Sequence, residues 1–399
     1  MKGNRTFHDA LVSFTGRRVI KMKKVFIYIH QSILKGGVEK VFYNLFNNLP
    51  DDEYQITVLN YCGYLTDDLK SIFYKGQKHR YWFYYDEWSN KPVKKFFQRI
   101  HNKVMPKLIP IWLRMQKYDI AIAAQEGMYA KFVDENIRAK RKLLWIHNDM
   151  MLCRFTEKYF SSPQNEKACY EHFDGVACVS ESVKQSMLER FGKMNNLHVV
   201  YNPIDTNEID CRLREKLPER GKDLLFVCVG RLVEQKGFDR LLPICKKLNN
   251  EGFKYTVWIL GEGDDRKKLE EFIKNNKLEN IKLLGNQKNP FVYMKQADWL
   301  LCVSRHEGFN MVLHEAVYCE CPIITTINAG TKELLGESQY GIIMENSDIA
   351  IEDGMRKVLS DKRIRDRYYY AARERKKFVS LELRMETIRL FLNGNQEIY

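Results

Sequence analysis

The sequence predicts an α/β protein built from two doubly wound domains, each a parallel sheet with helices on both faces. Three observations carry that expectation. Short β-branched or aromatic runs alternate with amphipathic stretches from about residue 22 onward. The rhythm stops between Asn202 and Lys222, where charges and prolines replace apolar periodicity. It restarts at Leu224, with strand-like runs that reach Gly230, Gly261, Gly285 and Ser304, the rim on which such sheets bind ligands.

In the first half, residues 24–30, 54–60, 118–124, 142–147, 175–180 and 198–201 read as strands, and residues 37–49 read as a helix. In the second half the strands are expected at 224–230, 255–261, 281–285, 299–304, 322–325 and 341–344. Residues 363–392, rich in Arg, Lys, Tyr and Leu, should form terminal helices that pack around the domains. The expected division is a tail at 1–21, a first domain at 22–205, a linker at 206–222, a second domain at 223–375 and a C-terminal helix at 376–399. The tail has no clear pattern, and Met22 would itself serve as a start.

A chain of 399 residues can bury two cores, and 45% hydrophobic with 29% charged residues excludes a disordered or fibrous class. No uninterrupted apolar window approaches the length of a membrane span, and residues 25–29 are too short for a signal-peptide core, so a cytoplasmic protein is expected. The ten cysteines are scattered and read as reduced core thiols. Net charge is +14, and most of the excess lies in the first half. Residues 88–118 hold eight basic side chains and no acid, interleaved with Phe, Trp, Ile and Leu. This suits an anionic membrane surface, and equally a helical pair with a solvated basic face. Pro106 and Pro110 rule out one long helix there. No nucleic-acid recognition motif occurs, so a nucleic-acid partner is not expected.

The segment with the most chemistry runs from Ser304 to Ala316 (SRHEGFNMVLHEA), closing a strand and opening a helix. Glu307 and Glu315 stand eight residues apart. With Gly308, Phe309 and Asn310 as the first turn and Met311 following, unpaired amides and the helix dipole would receive a diphosphate. Eight residues of helix span about 12 Å, the reach of a nucleotide-sugar from sugar ring to ribose. The loop Gly230-Arg231-Leu-Val-Glu-Gln-Lys236-Gly237 follows the second domain's first strand and supplies a planar fork and a compact charge.

These residues resemble two motifs of the retaining glycosyltransferases of family 4, E-x7-E and G-R-x4-K-G. The resemblance implies the GT-B fold, two facing Rossmann-like domains with a deep interdomain cleft, the first binding acceptor and the second nucleotide-sugar. Carried over by position, Glu307 would contact donor-sugar hydroxyls, Glu315 the ribose hydroxyls, and Arg231 and Lys236 the leaving nucleoside diphosphate. Lys35-Gly36-Gly37-Val-Glu39-Lys40 resembles the family's G-G-x-E loop, placing Gly36 and Gly37 beside the donor with Gly230 opposite. His147, ending a strand, is similar to the cleft-rim histidine of many relatives. Residues 328–334 resemble a G-x-x-E-L segment beside the donor sugar.

The implied activity is transfer of a hexose or N-acetylhexosamine, from a UDP-sugar by preference, to a glycan or lipid-linked glycan in bacterial surface-polysaccharide assembly. No D-x-D or H-E-x-x-H occurs and the nine histidines are dispersed, so no metal or other cofactor is expected. A nucleotide-sugar epimerase of the same architecture and a non-catalytic glycosyltransferase-like partner protein remain the alternatives.

Overall fold

The computed structural model describes residues 22–29, 37–62, 80–85, 92–152, 154–361 and 363–395. The expected tail at 1–21, Gly36 and residues 88–91 lie outside them. Among the described residues, the first sheet has seven strands: β1 (Lys23–Ile29), β2 (Tyr54–Cys62), β3 (Arg80–Tyr85), β4 (Tyr118–Ala123), β5 (Ala139–Ile146), β6 (Gly175–Cys178) and β7 (Leu197–Val199). The second has six: β8 (Leu224–Val229), β9 (Tyr255–Leu260), β10 (Ile281–Gly285), β11 (Trp299–Cys302), β12 (Ile323–Thr326) and β13 (Ile342–Met344).

Every strand pairing among the described residues is parallel. The strand orders are β3-β2-β1-β4-β5-β6-β7 and β10-β9-β8-β11-β12-β13. Each sheet therefore reverses direction of winding between its first and fourth strand in sequence, at β1/β4 and at β8/β11. The crevice outside the strand ends opens at that reversal, because neighbouring loops depart to opposite faces there. Strands such as β8 (LLFVCV) are apolar throughout because both faces are covered.

Three features depart from the expectations. β3 (RYWFYY), an aromatic run that was not among the expected strands, sits on the sheet edge. The segment expected as a linker contains the helix Thr206–Arg212, whose N-cap Asp205 accepts the Glu208 amide at 2.9 Å. Pro92–Met115 is one helix through both Pro106 and Pro110. Each interior proline removes one backbone hydrogen bond and costs about 3 kcal/mol. Burial of Ile109 and Leu113 against the first domain's core offsets that loss.

The C-terminal helix Leu381–Asn393 returns to the first domain, although it follows the second. Its Phe391 is fully buried, with its ring perpendicular to Trp145 at 5.2 Å. Among the described residues the chain thus crosses between the domains twice. Of the cysteines, Cys169, Cys178, Cys228, Cys245, Cys319 and Cys321 are buried free thiols.

Candidate active site

The site begins where β8 and β11 lie side by side. The loop at 230–237 leaves β8, and the loop at 303–310 leaves β11. Backbone and side chains stitch these loops into one unit. The Arg305 amide donates to the Gln235 carbonyl at 2.8 Å, and Gln235 Nε2 to the His306 carbonyl at 3.0 Å. The Arg305 guanidinium grips Asp239 through both oxygens at 2.7 and 2.8 Å, and this contact holds the Asp239 carboxyl below its usual pKa. Arg240 donates twice to the Val303 carbonyl. Gly237 has φ +71°, and a Cβ there would lie 2.2 Å from the Val303 oxygen, so only glycine lets the loops approach this closely.

The stitching delivers Lys236 Nζ to 2.5 Å from Glu307 Oε1, which also accepts the Ser304 hydroxyl at 2.7 Å. Both members of the ion pair are largely buried. The Lys236 stem runs over Gly230, which leaves room for it. Arg231 is exposed, and among the described residues its guanidinium has no ion-pair partner. The predicted cation pair and first carboxylate therefore share one rim.

The second half of the motif is arranged differently from the expectation. The helix runs from Met311 to Tyr318 with Asn310 at its N-cap position, so residues 308–310 lead into the helix and are not its first turn. Glu307 stands outside the helix and Glu315 within it. The eight-residue spacing is consequently not a single 12 Å helical span. Asn310 Nδ2 approaches Cys302 Sγ at 3.2 Å, and Met311 is buried. Phe309 stacks on the His314 ring at 4.1 Å, while His314 Nδ1 donates to the Asn310 carbonyl at 3.0 Å. Burial drives the His314 pKa down to about 3, so the ring is neutral.

The first domain meets this rim directly. A Cβ on Gly308 would fall 2.0 Å from the His147 carbonyl oxygen, so backbone touches backbone across the cleft. His147 follows β5 and is buried; its Nε2 donates to the Ala124 carbonyl at 3.0 Å. Burial lowers its pKa to about 4, which leaves Nδ1 an unprotonated acceptor. Its loop is held by Glu126, which accepts the His147 amide at 3.1 Å and Asn148 Nδ2 at 2.5 Å. Burial raises the pKa of this carboxyl.

Further contacts cross the cleft. Lys40, from the helix Gly37–Asn48, reaches Glu315 Oε1 at 2.5 Å. Glu333 in the 328–334 segment accepts the amides of Glu181 and Ser182 at 2.8 and 3.1 Å, capping the helix Glu181–Phe191 of the other domain. The structure thus joins Lys236 to Glu307, brings Gly308 to His147, and leaves Arg231 open. Glu126 and Lys40 were not singled out in the sequence. The only sequence signal for either was position: Glu126 lies just after β4, at the reversal point, and Lys40 one turn beyond the glycine pair.

Two family models cover most of the chain. Glycosyltransferase Family 4 matches residues 35–208, and Glycosyl transferases group 1 matches residues 211–375. The chain belongs to glycosyltransferase family 4. Similar family members include the N-acetylgalactosamine-N,N'-diacetylbacillosaminyl-diphospho-undecaprenol 4-alpha-N-acetylgalactosaminyltransferase of Campylobacter jejuni, 31% identical over 45% of this chain and 48% of that protein. The capsular polysaccharide biosynthesis glycosyltransferase CapM of Staphylococcus aureus is 23% identical over 55% of this chain and 60% of that protein. The chain spans about half the length of the first curated relatives it matches.

Among solved structures, a mutant of S. aureus TarM in complex with fondaparinux, alpha-GlcNAc-glycerol and UDP gives a TM-score of 0.70 at 15% identity, covering 93% of this chain and 100% of that one. Anabaena HepE in complex with UDP and glucose gives 0.71 at 16%, covering 94% and 100%. At these identities the likeness establishes the fold, and that fold is GT-B: two facing Rossmann-like domains of an α/β protein.

Proposed function

We propose that this family 4 protein is a retaining glycosyltransferase that moves a hexose or N-acetylhexosamine from a nucleoside-diphosphate sugar, with UDP favoured, to a hydroxyl of a glycan or lipid-linked glycan. The pathway would be bacterial capsule, exopolysaccharide or lipopolysaccharide assembly. The observation that carries the reading is the stitched rim, with Lys236 on Glu307 beside exposed Arg231, facing His147 across Gly308. Support for UDP comes from the TarM and HepE complexes. CapM and the diphospho-undecaprenol enzyme support the pathway and a lipid-linked acceptor.

The geometry suggests how the reaction would run. As the bond between the anomeric carbon and the phosphate oxygen breaks, charge grows on that phosphate beside Arg231 and Lys236. Their attraction strengthens toward the transition state, and they supply the countercharge in place of a metal. The departing phosphate oxygen takes the acceptor proton while the acceptor oxygen bonds the same face of the sugar. Glu307 turns the donor sugar through its hydroxyls, and the neutral His147 offers Nδ1 to another. Incubating the protein with a panel of nucleotide-sugars should release nucleoside diphosphate from one of them. NMR should show the product anomer matching the donor; an inverted anomer would contradict the retaining assignment.

The acceptor side draws on the helix Pro92–Met115. Ile100, Val104, Leu108, Ile111 and Met115 are 40 to 76% exposed and recur three or four residues apart, one outward stripe opposite buried Ile109 and Leu113. Lys103, Lys107 and Arg114 are exposed along its flank. That combination fits an anionic membrane surface at the inner face, where lipid-linked acceptors reside. No described helix is long and apolar enough to cross a membrane. Flotation with anionic liposomes at low salt should retain the wild type and lose a Leu108→Glu, Ile111→Glu variant; equal retention of both would remove the membrane reading.

A further inference from the structure

Glu315 is 4% exposed, and among the described residues its side chain has one hydrogen-bond partner, Lys40. A buried polar group is costly without a hydrogen-bond partner. The partner comes from the opposite domain. Lys40 Nζ is held between two elements of the second domain, 2.5 Å from Glu315 Oε1 and 5.3 Å from the Phe291 ring centroid. Glu208 and Arg212 also act on its charge, the first favouring and the second opposing it.

A carboxylate accepts roughly four hydrogen bonds, and the ammonium on Oε1 leaves capacity on Oε2. We propose that Lys40 is a positioning residue for nucleotide recognition: its contact on Oε1 holds the Glu315 carboxylate turned so that the remaining oxygen receives the ribose hydroxyls. This rests on the reading of Glu315 as the ribose carboxylate. Because the cation and the carboxylate lie on different domains, the same contact makes ribose recognition depend on closure of the cleft. By linkage, nucleotide binding then favours the closed arrangement to the same degree.

The assignment predicts a pattern that a general structural role would not produce. Lys40→Met should weaken binding of whichever of UDP, GDP or ADP binds the wild type, by about tenfold or more, the scale of one hydrogen bond to a charged group. Inorganic pyrophosphate, which has no ribose, should compete equally well against both proteins. Donor KM should rise with kcat little changed, and Lys40→Arg should restore most of the affinity. In a Glu315→Gln background, Lys40→Met should add little.

Equal weakening of nucleotide and pyrophosphate, or full additivity with Glu315→Gln, would overturn the assignment and leave the donor-site reading standing. Absence of binding by all three nucleotides to the wild type would overturn the donor-site reading, and this inference with it.

Discussion

Lys236→Ala should lower turnover about a hundredfold, a loss of about 3 kcal/mol of transition-state stabilisation. The ammonium sits on the one carboxylate that would orient the donor sugar, so its removal has two consequences. The leaving phosphate loses its compact countercharge as charge develops. Glu307, largely buried, keeps only the Ser304 hydroxyl among its described partners. The second consequence should destabilise the protein by about 1 to 3 kcal/mol, the usual range for stranding a buried acceptor.

The two effects separate in Lys236→Arg, which preserves charge and the pairing with Glu307 but displaces the cation. That variant should recover most of the unfolding midpoint and little of the rate. Steady-state kinetics with the accepted donor and a thermal melt check both, and an alanine variant with wild-type turnover would remove Lys236 from the mechanism.

Gly308→Ala should be nearly as damaging for a different reason. The new methyl group would have to occupy a point 2.0 Å from the His147 carbonyl oxygen. Backbone cannot step aside as a flexible side chain can, so the domains must separate by about 1 Å or more. Misplacement of reacting groups on that scale costs about a hundredfold in rate. The strand ladders of both sheets are untouched by the change, so the unfolding midpoint should fall far less than the rate. X-ray scattering should report a more open particle, and kcat/KM should fall without a matching loss of fold. Wild-type kcat/KM in this variant would mean that the contact between Gly308 and His147 plays no part in the active arrangement.

These two residues also show what the sequence made legible. The place of Lys236 on the rim was readable because its signals are local: a strand end, a glycine on either side and an arginine five residues before it. The place of Gly308 in a rim was likewise readable, because a strand of apolar residues ended just before it. What it touches was not, since His147 lies more than 150 residues away in sequence, on the other domain. The same nonlocality hid Lys40 and Glu126. One resembles any surface lysine on an amphipathic helix until Glu315 is placed opposite it. The other resembles any loop acid until the backbone of His147 is seen to hang from it.

Strands covered on both faces announced themselves by continuous apolar runs. β3 was not among the expected strands although RYWFYY is an aromatic run of the kind that marks strands elsewhere in the chain; it sits on the sheet edge. The helix at 92–115 was obscured by a local rule that tertiary burial overrode. Pro106 and Pro110 signal a break, and Ile109 and Leu113 hold the helix together against the core. The 12 Å estimate for the carboxylate pair failed for a related reason. Spacing in sequence becomes distance only where the whole interval is helical, and here the helix begins at Met311.

The loops after β8 and β11 are proposed to form one diphosphate-binding rim. Calorimetric titration of UDP, GDP and ADP into the wild type and into an Arg231→Ala, Lys236→Ala double variant tests it most directly. The account predicts one-to-one binding of at least one nucleotide, weakened at least tenfold in the double variant while the thermal melt still shows a folded protein. Unchanged affinity in that folded variant, or no binding of any of the three to the wild type, would contradict it.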